Sequence, residues 1–278
     1  LPIALISLSD MLLRSIDGVI LARYYDLKQF GLYSVAMQMA VYLFAIPQAA
    51  GFVIWPRVLE TYGAADQGER TRRRVLRPTI AAAAVMPVLA GMAYLGIPPA
   101  IALLIPKFSD SVAAAQVLGM GSILLALPLA TNSALVARNR EALVIATKLA
   151  GAGLAGGLTW YLVSNSAPLV HVAAAACFGF GLAAVLSLAI QLREFFPHRG
   201  ELAREVALCL LPLVWAVGAL WAAMRLVMLA RMDPASLHGA VLALLAFVVL
   251  SSPCAVYGHL RTGAGTEVMN LLRGRFRH

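Results

Sequence analysis

Apolar residues in this chain come in long unbroken runs, separated by short polar segments that carry most of the charge. A helix that crosses about 30 Å of hydrocarbon needs roughly 20 apolar residues in a row. Eight stretches meet or approach that length, near 2–23, 30–55, 78–104, 112–137, 142–164, 168–192, 206–230 and 236–258. In lipid only helices and closed barrels satisfy the backbone, and a barrel would show shorter segments of alternating character. The pattern therefore predicts an all-α, polytopic transmembrane bundle of about eight spans. Residues 1–192 would form one unit of six helices, and residues 193–278 would add two more helices and a basic tail.

Composition agrees with that reading. Of 278 residues, 61% are hydrophobic and 13% charged, and the mean hydropathy is +0.83. A soluble domain of this size needs a far more polar surface. The net charge of +9 would suit nucleic acid, but the cations sit between apolar runs, so a membrane explains them and no nucleic-acid partner is expected. Lys and Arg alternate between loops. Sixteen fall in or beside the segments 56–77, 138–141, 193–205 and 259–278, against five in the other set. The asymmetry predicts that the richer set, including the C-terminus, is cytoplasmic. The basic segments holding Arg70–Arg74 and Arg273–Arg277 would also attract anionic headgroups of membrane lipids. The chain begins at Leu1, already inside an apolar run and without a signal peptide, and the charge asymmetry starts the first span on the cytoplasmic side, so an even number of spans is expected to precede it if the full protein starts inside.

The residues that could carry chemistry are few. There is no catalytic motif, no metal-ligand spacing and no cofactor signature, so no enzyme, metal or cofactor is expected, and Cys177, Cys209 and Cys254 read as buried free thiols. The first stretch is the informative one. Ser7, Asp10, Arg14 and Asp17 follow at spacings that place them on one helical stripe. Charges at that depth normally face a bundle interior or a water-filled cavity. Arg14 offers a permanent cation with a planar fork of donors, suited to phosphate or carboxylate. Asp10 and Asp17 could bind a cation or take up protons. The plainer alternative is that Arg14 only pairs with both aspartates, at i−4 and i+3. Lys148, inside the fifth stretch, either points into the same cavity or snorkels to the interface. Gln38 and Tyr42 would hydrogen-bond a sugar or serve as inter-helix contacts. Thr131, Asn132 and Ser133 read as a helix-end cluster. Gly153 and Gly157 form a GxxxG, and Ala152 and Gly156 a second small pair, which would let helix backbones approach closely.

Three segments carry a resemblance. Residues 17–40, DGVILARYYDLKQFGLYSVAMQMA, have an Asp-bearing helix, a short loop and a helix start marked by Gly31, Tyr33 and Ala36. Residues 54–69, IWPRVLETYGAADQGE, form a Pro-containing exit into a basic loop, and residues 104–124, LIPKFSDSVAAAQVLGMGSIL, an outer turn before a small-residue helix. Together they resemble the polysaccharide flippases of the MATE-like superfamily, in the part that begins at the seventh helix. The later spans match in number and spacing. The resemblance implies a protein of two pseudo-symmetric lobes in a bacterial inner membrane. It would move an undecaprenyl-pyrophosphate-linked oligosaccharide between leaflets for surface polysaccharide such as O-antigen or lipopolysaccharide. A cationic cavity would take the anionic group while the lobes rock. Arg14 best matches a cavity cation of the seventh helix. The coupling ion would be a proton or sodium, although the eleventh-helix equivalent carries Lys148 and no carboxylate, which counts against sodium. A multidrug or metabolite antiporter of the same fold is the main alternative. A membrane glycosyltransferase or ligase ranks last, because the outer loops are short.

Overall fold

The computed structural model describes residues 2–63, 69–196, 198–230 and 236–262, and among these it contains helices and turns and no strand. The helices are α1 (Pro2–Tyr24), α2 (Leu27–Gly63), α3 (Glu69–Leu104), α4 (Val112–Ala126), α5 (Leu129–Ala137), α6 (Glu141–Ser164), α7 (Leu169–Phe195), α8 (Arg199–Leu229) and α9 (Leu237–Thr262). A short 3₁₀ turn, Pro106–Ser111, links α3 to α4. Seven segments among the described residues are long and apolar enough to cross a bilayer. α1 has the length, at 23 residues, or about 34 Å of helix, but its three mid-helix charges set it apart. The chain is thus an all-helical membrane bundle. Several helices outrun the apolar stretches: α2 reaches Gly63, and α3 starts at Glu69. A helix that leaves the hydrocarbon keeps its backbone bonds, so hydropathy marks the depth of the membrane rather than the end of the helix. The stretch 112–137 is divided in two at Leu127–Pro128. The side chains of Arg70–Arg74 and the tail with Arg273–Arg277 lie outside the described residues.

Tight turns end two of the helices. Asn139 and Ser166 adopt positive φ values of 55° and 54°. In each, the next N–H reaches back to a carbonyl of the last turn, Arg140 to Leu135 and Ala167 to Leu162, both at 3.0 Å. This caps carbonyls that the helix end would otherwise leave unmet. The two turns lie at opposite ends of α6. The one at Ala167 is tied to the α1–α2 turn, because the Tyr25 hydroxyl donates to the Ala167 carbonyl.

The core sits among α1, α2, α4, α6 and α7, where Leu13, Leu21, Tyr33, Leu118, Ala176 and Phe180 are buried together. Close backbone approach holds α6 to α7. A Cβ added at Gly179 would lie 2.6 Å from the Gly151 carbonyl oxygen, and one at Gly151 would lie 2.6 Å from the Gly179 carbonyl oxygen. α8 and α9 form a hairpin that leans on α3 through a second cluster with Leu95, Ala219, Ala223 and Phe247. The Phe247 ring lies over Gly91 of α3, where a Cβ would come within 2.1 Å of it. Arg261 and Glu205, 2.9 Å apart, join one end of the hairpin. Cys177, Cys209 and Cys254 are free thiols.

Candidate functional site

Asp10 and Arg14 stand one turn apart on α1, and their side chains meet: Arg14 Nη2 is 2.6 Å from Asp10 Oδ2. The other oxygen of the same carboxylate, Oδ1, lies 3.0 Å from Lys148 Nζ on α6. One carboxylate therefore bridges two cations, one from each of two packed helices. Arg14 is held on its other face by α2, with its guanidinium carbon 4.1 Å from the centre of the Phe44 ring. That contact adds attraction between the cation and the ring π-system. The three charged side chains are neither fully buried nor free, with 25% of Arg14, 30% of Asp10 and 12% of Lys148 exposed.

The exposure opens onto a cavity of about 310 Å³. Ser7, Asp10 and Arg14 of α1, Phe44 and Gln48 of α2, Lys148 of α6 and Ser187 of α7 line it, and Asn132 of α5 closes another side. Leu13 and Phe180 form part of its apolar wall. Two buried polar atoms at this cavity have no hydrogen-bond partner, Arg14 Nε and Asn132 Oδ1. Buried polar atoms are normally paired, so spare capacity of this kind suits a ligand or water. Thr147 and Ser187 share a hydrogen bond of 3.0 Å next to Lys148, joining α6 to α7. The arrangement has two fixed cations, one carboxylate and neutral hydrogen-bonding groups around a space large enough for a phosphate-sized group.

The stripe on α1 divides. Asp17 is 1% exposed and does not line the cavity. Its Oδ2 accepts the Tyr33 hydroxyl of α2, and its Oδ1 accepts the Gly18 N–H at 2.8 Å. Arg14 turns toward Asp10 and not toward Asp17. Gln38 and Tyr42 lie on an exposed face of α2, Tyr42 with 62% of its surface open, and neither lines the cavity. Lys148 points into it. Phe44, Gln48 and Ser187 also line the cavity, although nothing in the sequence sets them apart from other span residues, and Asn132 belongs to its wall rather than only to a helix-end cluster. A signal for Asn132 was available in Pro128, since a proline in mid-span followed by polar residues marks an interrupted helix. Phe44 had no such signal: an aromatic in an apolar run is the commonest kind of core residue.

Fold and cavity together define a polytopic membrane protein with a cation-bearing pocket between its helices. The profile of a family described as polysaccharide biosynthesis protein matches residues 1–113, which cover α1 to the start of α4. The chain is similar to that family over this part, and the cavity-lining residues of α1 and α2, Asp10, Arg14 and Phe44 among them, fall within it. Neither the curated proteins nor the solved structures include a match to this chain.

Proposed function

We propose that this chain forms part of a transporter that carries a lipid-linked oligosaccharide across a bacterial inner membrane for surface polysaccharide synthesis, without making or breaking bonds. One observation carries this reading: Arg14 and Lys148, from two different helices, are both held at a pocket in a membrane bundle, where an unpaired cation is costly. They exceed the single carboxylate between them by one charge, which favours an anionic guest such as a phosphate-linked headgroup. Similarity to a polysaccharide biosynthesis family over residues 1–113 supports the sugar-bearing cargo. Cationic drugs would call for a pocket dominated by carboxylates, so the charge balance speaks against the antiporter alternative. Movement would follow from rocking of this bundle against a second lobe of the full transporter. In this reading the Arg138–Arg140 turn and the C-terminal end of α9 face the cytoplasm, in keeping with the distribution of Lys and Arg.

Export by the full-length protein tests the proposal. Arg14→Ala removes the permanent cation and is expected to lower surface polysaccharide at least about tenfold, the scale of losing one charge-assisted contact to a bound anion. The variant should still insert in the membrane at the wild-type level, as read by immunoblotting of membrane fractions. Normal polysaccharide with Arg14→Ala would reject the role of the cavity.

A further inference from the structure

Asp10 is the odd member of the site. If the pocket exists to receive an anion, a carboxylate placed between its two cations opposes that task. Its geometry explains it. The two oxygens of Asp10 divide between the cations, Oδ2 to Arg14 at 2.6 Å and Oδ1 to Lys148 at 3.0 Å. A single phosphoryl group presents two oxygens with a similar bite, and Arg and Lys bind both kinds of oxyanion through the same donors. The carboxylate belongs to the chain and lies on the same helix as Arg14, so it is always at hand.

We infer that the Asp10 carboxylate occupies the seat of the ligand's oxyanion and is the counter-ion that the ligand displaces. The ligand group is then a phosphate or pyrophosphate that bridges Arg14 and Lys148 as Asp10 does. This rests on the transport reading above and adds to it the place where the anion sits and how it leaves. Two further observations support the seat. Arg14 is braced against the Phe44 ring, 4.1 Å from its centre, by a contact that does not involve Asp10. Its Nε is buried and unpartnered, so Asp10 does not exhaust its donors. With the seat empty of ligand, Asp10 keeps two cations from facing each other uncompensated at membrane depth. When a ligand enters, it must compete with that carboxylate. When it departs, the carboxylate returns and prevents rebinding. Binding is weakened and release is hastened by the same group.

The test is titration of inorganic pyrophosphate into the full-length protein in nanodiscs of zwitterionic phosphatidylcholine, followed by calorimetry, alongside the export assay. If Asp10 holds the cations nine parts in ten of the time, Asp10→Asn binds pyrophosphate about tenfold more tightly than wild type, because the competent fraction rises by that factor. Export by the same variant falls, since the anion is released slowly. Asp10→Glu keeps the charge and stays within about threefold of wild-type affinity on the same arithmetic. Arg14→Gln and Lys148→Gln each weaken binding. Equal or weaker binding by Asp10→Asn, with Arg14 and Lys148 still required, overturns the counter-ion and leaves the cationic cavity standing. Binding that is indifferent to Arg14 and Lys148 overturns both.

Discussion

At the scale of single residues, glycines show how little room the bundle leaves. The sequence offers two overlapping small-residue pairs on α6, and the structure gives them opposite fates. Ala152 and Gly156 face inward, Gly156 against Ile16 of α1, whereas a Cβ at Gly153 or Gly157 would meet nothing within 4 Å. Gly151, one step before Ala152, makes the closest approach on α6, backbone to backbone with Gly179. Gly179→Val is therefore expected to cost about 1–3 kcal/mol, as overpacking does when only backbone can yield. Gly153→Ala should stay within about 0.5 kcal/mol of wild type, like other substitutions in open positions. Thermal unfolding of the two purified variants in one detergent checks the contrast, and equal midpoints would refute the α6–α7 joint. The same scale separates Asp10 from Asp17. Both are acids on one stripe of one helix, yet Asp10 meets Lys148 and Asp17 meets Tyr33. Periodicity could place them on one side of α1 but could not say what stood opposite each.

At the scale of elements, proline has unequal effects. Pro78, Pro87, Pro98 and Pro99 all lie inside α3, which continues through them, whereas Pro128 marks the break between α4 and α5. Proline removes one N–H and crowds the preceding turn, so each of the five freed a carbonyl. At Pro128 the chain turns, and local bonds restart the helix: its carbonyl accepts the Asn132 N–H at 2.7 Å and the Thr131 hydroxyl at 3.0 Å. The interruption brings Pro128, Leu129 and Asn132 to the wall of the charged cavity. Irregular backbone at membrane depth is tolerated where it borders a cavity or packed protein. Pro128→Ala restores the missing donor and favours a continuous α4–α5 helix. The expected result is an export rate reduced about three- to tenfold at unchanged expression, comparable to the loss of one hydrogen-bonding contact to the cargo. Export at the wild-type rate would mean that the shape of this wall is immaterial.

At the scale of the whole molecule, α8 and α9 differ from the rest. They attach through α3, with a smaller contact from α7 to α8, and among the described residues the hairpin contributes nothing to the lining of the charged cavity. A hairpin on the outer flank suits contact with lipid or with other proteins better than contact with the cargo. Topology is the property to test here. In a cysteine-free background, Asn139→Cys and Ser166→Cys sit at the two opposite turns of α6, both exposed. With the proposed orientation, a membrane-impermeant maleimide added to intact cells labels the cysteine at position 166 and spares the one at position 139 until the membrane is opened. The reverse pattern would invert the arrangement.

What the sequence determined by itself was the medium and the element type. Long apolar runs can satisfy their backbones in lipid only as helices, so the all-helical bundle and the approximate place of each span were legible from hydropathy. It also marked Asp10, Arg14 and Lys148 as residues that need a reason to be there, because a charge in hydrocarbon is costly wherever it stands. Tertiary structure decided everything that depends on what faces what. It paired Asp10 with a lysine on another helix, gave Asp17 to Tyr33, left Gln38 and Tyr42 on an exposed face, and recruited Phe44 and Asn132 to the pocket. The reason is that helix packing in a membrane has no strong hydrophobic pattern to read, since the outward and inward faces of a span are equally apolar. The register between helices is set by contacts such as Gly151 on Gly179, and only coordinates reveal them.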